Sequence, residues 1–142
     1  MNRSAISPPF VDTVTDRLLG WSMISVASGL PLAVSRQPLL RGLGQQFVAW
    51  GAIDGTIALA GRWSQRRKAE QGAASEEIAA LRRLLLVNAA LDVLYVAGGV
   101  TLAVRRGKDD PYWRGVGLGI VVQGGFLLGF DLWHGLHAPE DS

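Results

Sequence analysis

Leu84–Val104, LLLVNAALDVLYVAGGVTLAV, is 21 residues long and carries a single charge, Asp92. Wound as an α-helix it spans roughly 30 Å, the thickness of the hydrocarbon core of a bilayer. A helix on the surface of a soluble bundle keeps a charged stripe toward water, and this one has none. Three further stretches follow the same pattern. Arg17 and Arg36 bracket 18 uncharged residues, Arg41 and Arg62 bracket 20 with only Asp54, and from Gly115 to Pro139 the sole carboxylate is Asp131. All fourteen Lys and Arg lie outside these stretches. The pattern predicts an all-α membrane protein with four transmembrane helices, near residues 18–34, 43–61, 84–104 and 114–134, in a single domain.

The other compositional features bound the chemistry. Charged residues make up 18% of the 142, below the usual quarter, and 18 are Gly, which membrane helices use for close packing. A net charge of +2 without a basic, aromatic-interleaved cluster predicts no nucleic-acid partner. The chain has no Cys, hence no disulfide or thiolate metal site, and no cofactor is implied. The excess of Arg over Lys is what a GC-rich bacterial genome produces. The partners expected are the lipid bilayer and either further copies of the chain or another membrane protein.

The first span ends Ala33-Val34-Ser35, a small-x-small pattern that resembles a signal-peptide cleavage site. An internal match argues that the span is retained. Residues 26–36, VASGLPLAVSR, align with 96–106, VAGGVTLAVRR, at seven identities in eleven. Residues 41–51, RGLGQQFVAWG, align with 114–124, RGVGLGIVVQG, at five in eleven. Two blocks in the same order imply a duplicated hairpin: spans one and two repeated as spans three and four. A repeat with an even number of spans keeps its orientation, so the halves should be related by a pseudo-twofold along the membrane normal.

Between the spans, the sequence predicts a long connection over 62–83, on the cytoplasmic side. It contains Arg66-Arg67-Lys68, and Ser75 before Glu76-Glu77 reads as an N-cap opening the third helix near residue 76. Lys108-Asp109-Asp110-Pro111 reads as a tight turn. Residues 1–12 read as loose, with Thr13 and Asp16 as a capping box, and 138–142 as a flexible tail. Loop charge sets the orientation. Arg3, Arg17, Arg62, Arg66, Arg67, Lys68, Arg82 and Arg83 lie on the side of the termini, against six basic residues opposite. The positive-inside rule then puts both termini in the cytoplasm of a multi-pass cell-membrane protein.

The polar residues inside the spans are the candidates for function, because an Asp at the bilayer centre costs about 2.5–3.5 kcal/mol. Asp54 falls just past the middle of span two and Asp92 just before the middle of span three. Those spans run in opposite directions, so both lie on the same side, roughly 3–4 Å from the midplane at about 1.5 Å per residue. Two facing carboxylates cannot both ionise cheaply there. Asn88, Asp92 and Tyr95 share a helix face, and Gln123 lies near the middle of span four. These five form the expected ligand- or ion-binding set. Asp131 and His134, at i and i+3 near the end of span four, form a secondary one. With Ser22 and Ser25 they make the half nearer the termini polar, a vestibule closed at the other end. Each residue also has a plainer reading. Asp54 and Asp92 can knit the bundle together through Asn88, Tyr95 or Gln123; Asp131 and His134 can be a solvated ion pair. His134, His137 and Asp131 alone do not complete a zinc site. An enzyme would have acid–base candidates here but no nucleophile or metal constellation that names a reaction.

The motifs Arg41-Gly-x-Gly-Gln45…Trp50-Gly51-x-Ile53-Asp54, Asn88-x-x-Leu91-Asp92-x-x-Tyr95 and Gln123-Gly124-x-Phe126-Leu127-x-x-Phe130-Asp131-x-x-His134 resemble a group of small prokaryotic four-helix membrane proteins without assigned activity. The resemblance covers residues 17–134 and implies the fold, not a substrate. Small multidrug exporters also have four spans and a membrane acid, but theirs is a Glu in the first helix, where this chain has no acid. The sequence therefore leaves two functions open. One is binding or transport of a small solute or ion through the polar half; the other is a non-catalytic scaffold or accessory subunit.

Overall fold

The computed structural model describes residues 9–69 and 74–139. They form four helices: α1 (Pro9–Ala33), α2 (Pro38–Ala69), α3 (Ala74–Arg105) and α4 (Pro111–Leu136). Asp110 caps α4, its Oδ1 accepting from Tyr112 N at 2.9 Å, and Pro111 opens the helix, where a missing N–H costs nothing. Proline opens α1 and α2 in the same way. Residues 9–12, read as loose, are therefore helical, and Thr13 and Asp16 lie within α1 rather than at its start. The expected 62–83 connection is also mostly helix. α2 runs through the basic run Arg66-Arg67-Lys68, whose residues are good helix formers, and α3 has begun by Ala74. The charged run does not mark a helix end. Residues 1–8, among those expected to be loose, residues 70–73, and residues 140–142 of the expected tail lie outside the described residues.

The helices pack as two hairpins. α1 lies against α2 and α3 against α4 to nearly equal extents; the hairpins meet chiefly along α2 and α4, and α1 touches α3 little. Glycines make these contacts close, and the aligned positions make the same ones. A methyl group on Gly29 would stand 2.9 Å from the Gly44 carbonyl oxygen, and one on Gly99 would stand 2.9 Å from that of Gly117. One on Gly51 would meet Val26 at 2.8 Å, and one on Gly124 would meet Val96 at 3.2 Å. Between hairpins the contacts are reciprocal: Gly42 abuts the backbone of Tyr112, and Gly115 abuts that of Leu39, which aligns with Tyr112. Gly119 packs on Gln46, its own counterpart. Reciprocity of this kind is what a two-fold exchange of the hairpins produces.

The end holding the 34–37 and 106–110 connections is thus packed backbone to backbone. At the other end, Val14, Leu85 and Phe130 form a small cluster with Phe10, Leu18, Leu81 and Phe126. The distribution of polarity is inverted. Met23, Ile24, Ile57, Leu59, Leu94, Val100 and Leu132 are exposed, while Ser22, Ser25, Asp54, Asp92, Gln123, Asp131 and His134 are buried. Two helical segments, Ile78–Arg105 and Pro111–Leu136, are long and apolar enough to cross a membrane. Asp12, Asp16 and Arg17 lower the hydropathy of α1, and Arg41, Gln45, Gln46 and Asp54 lower that of α2.

Candidate functional site

α2 and α3 barely touch, and the space between them is a cleft with a cavity of about 480 Å³. Its back wall carries three carboxylates from three helices: Asp54 of α2, Asp92 of α3 and Asp131 of α4, which are 3%, 4% and 5% exposed. Asp54, Asp92 and Asp131 lie close enough together for their charges to act on one another. Carboxylates clustered away from water do not all ionise cheaply, so the cluster favours an added proton or cation. Oδ2 of Asp54 and Oδ2 of Asp92 are buried with no hydrogen-bond partner. Such atoms are rare because burial without a partner is costly.

The rest of the lining is mainly apolar. Ile53, Ile57, Leu84 and Leu91 form the rim and are about half exposed, so the cleft opens sideways between α2 and α3. Asn88, one turn before Asp92, faces it, and Ser64 and Gln65 line the end toward the termini. Trp50 and Tyr95 close the other end edge to face, with ring centroids 5.3 Å apart.

Four of the five expected binding residues, Asp54, Asn88, Asp92 and Tyr95, therefore line one cavity. Gln123 does not. It is completely buried between α4 and α1, accepting from Trp21 Nε1 at 2.9 Å and donating to Ser25 Oγ at 3.1 Å. Ser22 is likewise engaged, donating to the Gly51 carbonyl at 2.6 Å. These polar side chains hold helices together. The secondary pair separates as well. Asp131 faces Asp92, whereas His134 Nδ1 bonds the Phe130 carbonyl at 2.7 Å and Nε2 lies 3.1 Å from Arg17. Arginine only donates, so Nε2 accepts and Nδ1 carries the proton. His137 bonds the Trp133 carbonyl at 2.8 Å. Among the described residues no three of the His, Asp and Glu side chains are grouped so as to hold a metal ion.

Of the three cleft carboxylates Asp131 is the least visible in the sequence, because counting residues puts it near the end of its span, and Ser64 and Gln65 carry no signal there at all. A signal for Asp131 was present: Gly117, Gly124 and Asp131 recur every seventh residue, one stripe of α4. The first two pack on Gly99 and Val96 of α3, which puts the third beside Asp92.

Neither the curated proteins nor the solved structures include a match to this chain. Residues 17–132, a stretch that takes in Asp54, Asp92 and Asp131 and stops short of His134, match DUF6992, a family of unknown function, and the chain belongs to that family.

Proposed function

We propose that this is a multi-pass membrane protein whose α2–α3 cleft binds a small cationic solute or a proton at the carboxylates of Asp54, Asp92 and Asp131. All four helices span, both termini lie in the cytoplasm, and the hairpins are related by a pseudo-twofold along the membrane normal. The membrane reading is supported by the inverted polarity of the bundle. α2 and α3, of 32 residues each, are about 48 Å long at 1.5 Å per residue. They outrun a hydrocarbon core of about 30 Å, so their charged ends stand in the cytoplasm.

The observation that carries the binding reading is the pair of buried, unpartnered oxygens on Asp54 and Asp92 in the wall of an open cavity. Acids that merely knit helices would be expected to spend both oxygens on the protein, as Gln123 spends both ends of its amide. A second reading, a scaffold for other spans, is favoured by Gly125 and Gly129. They face open space on α4, as a docking stripe for another helix would.

The test is the thermal midpoint of protein in phosphatidylcholine nanodiscs, titrated with sodium, magnesium and ethylammonium chlorides. An occupant at about 100 times its Kd stabilises by roughly 2.7 kcal/mol. Asp54→Asn and Asp92→Asn are expected to fold and to lose that shift. Equal shifts in the wild type and both variants, or failure of both variants to fold, would refute the binding reading.

A further inference from the structure

The duplication pairs the open cleft with a second crevice, between α1 and α4. Extending the register that matches Val26 with Val96 and Arg41 with Arg114 pairs Trp21 with Leu91 and Ile53 with Phe126. It also pairs Ser22 with Asp92 and Trp50 with Gln123. The α1–α4 crevice is filled. Trp21 stacks on Phe126 with ring centroids 3.7 Å apart and planes 9° apart, and its indole N–H is bonded to Gln123. At the matching positions the α2–α3 cleft has Leu91 and Ile53, 45% and 50% exposed, with nothing stacked between them. One crevice carries its own aromatic plug, and the other has none.

The chemistry next to the plug has changed in step. Where Ser22 turns its hydroxyl to a backbone carbonyl, the open cleft has Asp92, with a carboxylate oxygen unpartnered and Asp54 and Asp131 beside it. The cleft therefore has room for a flat ring at its apolar mouth and acceptors for a charged N–H group behind it. Trp50 and Tyr95 line the closed end, and aromatic rings near a cation attract it. A cavity of about 480 Å³ is far larger than a bare ion needs and falls in the range of small-molecule sites. The sideways opening between α2 and α3 leads, in a membrane, to the acyl chains.

We infer that the ligand of this cleft is an amphipathic arylalkylammonium ion, which enters sideways from the bilayer. Its ring takes the place that Trp21 fills in the mate crevice, and its ammonium group donates to Asp54 and Asp92. The inference rests on the binding reading above and names the ligand class.

The probe is radiolabelled tryptamine, an indole two carbons from an ammonium, in phosphatidylcholine nanodiscs that carry no competing amine lipid. It is compared with ethylammonium and with uncharged 3-propylindole. Burying the ring should make tryptamine bind at least about tenfold tighter than ethylammonium. The double variant Ile53→Phe, Leu91→Trp rebuilds the plug while keeping every acid. It should weaken tryptamine at least about tenfold and leave the response to ethylammonium in place. If that variant does not fold, Ile57→Trp at the mouth makes the same test.

Tryptamine binding no tighter than ethylammonium, with the ethylammonium response intact, would overturn the ligand class and leave the binding reading standing. Equal affinity of tryptamine for wild type and the plugged variant would overturn the location. 3-Propylindole binding as tightly as tryptamine would remove the role of the acids. No response to tryptamine or to any cation of the panel would defeat both this inference and the reading beneath it.

Discussion

Gly115→Leu is expected to prevent the bundle from assembling. A side chain there would run into the Leu39 carbonyl, and the obstacle is backbone, held by the α2–α4 contact on which the two hairpins meet. Flexible side chains can yield to an extra methyl group; a helix backbone moves only by separating the helices. Overpacking typically costs about 1–3 kcal/mol, and a site walled by backbone belongs at or above the upper end of that range. Gly42→Leu should behave alike, because Gly42 meets Tyr112 as Gly115 meets Leu39. Gly98 is the control, since a Cβ there meets nothing within 4 Å. Size-exclusion chromatography and thermal midpoints in one detergent measure all three. Gly115→Leu matching Gly98→Leu would show that the hairpins do not meet where described.

Trp21→Ala is expected to cost about 3 kcal/mol, the lower end for large-to-small aromatic substitutions, because Trp21 is partly rather than fully buried. It removes the stack on Phe126 and leaves the Oε1 of fully buried Gln123 without its donor. The loss has a second signature. The hole it leaves has the shape of an indole, with an acceptor at the right place, so millimolar free indole should restore part of the lost stability, by mass action on the folded state. Gln123→Leu makes the comparison: it strands the Trp21 N–H but leaves no hole, so it should cost about 1–3 kcal/mol and gain nothing from indole. A Trp21→Ala loss below about 1 kcal/mol, or indifference to indole, would mean that Trp21 is not a plug.

The sequence made depth legible but not direction. Asp54 and Asp92 were read at one depth from their offsets within oppositely running spans, and both line the cleft. Gln123 was read near the same level and also belongs to a buried network, but it points to α1. On a helix of 3.6 residues per turn, Gln123 and Asp131 differ by about 80°. That is enough to put one between α4 and α1 and the other beside α3. Direction is fixed by helix packing, and in this chain much of the packing is written in glycines: the contacts of Gly29, Gly42, Gly44 and Gly51 recur at Gly99, Gly115, Gly117 and Gly124. The duplicated hairpin was legible because the small residues of its interface cannot be replaced without pushing backbones apart. The polar residues between halves were not, because the halves have diverged there, Ser22 facing Gly51 in one and Asp92 facing Asp131 in the other. Helix ends were hardest to read. The run from Arg62 to Ala69 continues α2 although it leaves the apolar stretch, since Arg, Gln, Lys and Ala are good helix formers whatever their polarity.

The absence of native cysteine makes one measurement decisive for the account as a whole, a membrane-embedded bundle with a wet carboxylate cleft. Single cysteines at Asn88, in the cleft, and at Leu94, 67% exposed in the middle of α3, are treated with a membrane-impermeant thiol reagent in cells and in inverted vesicles. The expected result is labelling of Asn88→Cys from the cytoplasmic face, through the end of the cleft lined by Ser64 and Gln65, and none of Leu94→Cys from either face, because on this account its exposed surface meets lipid. Leu94→Cys labelled as fast as Asn88→Cys would mean that the apolar exterior faces water, and an unreactive Asn88→Cys in folded protein would mean a dry cleft; either contradicts the account.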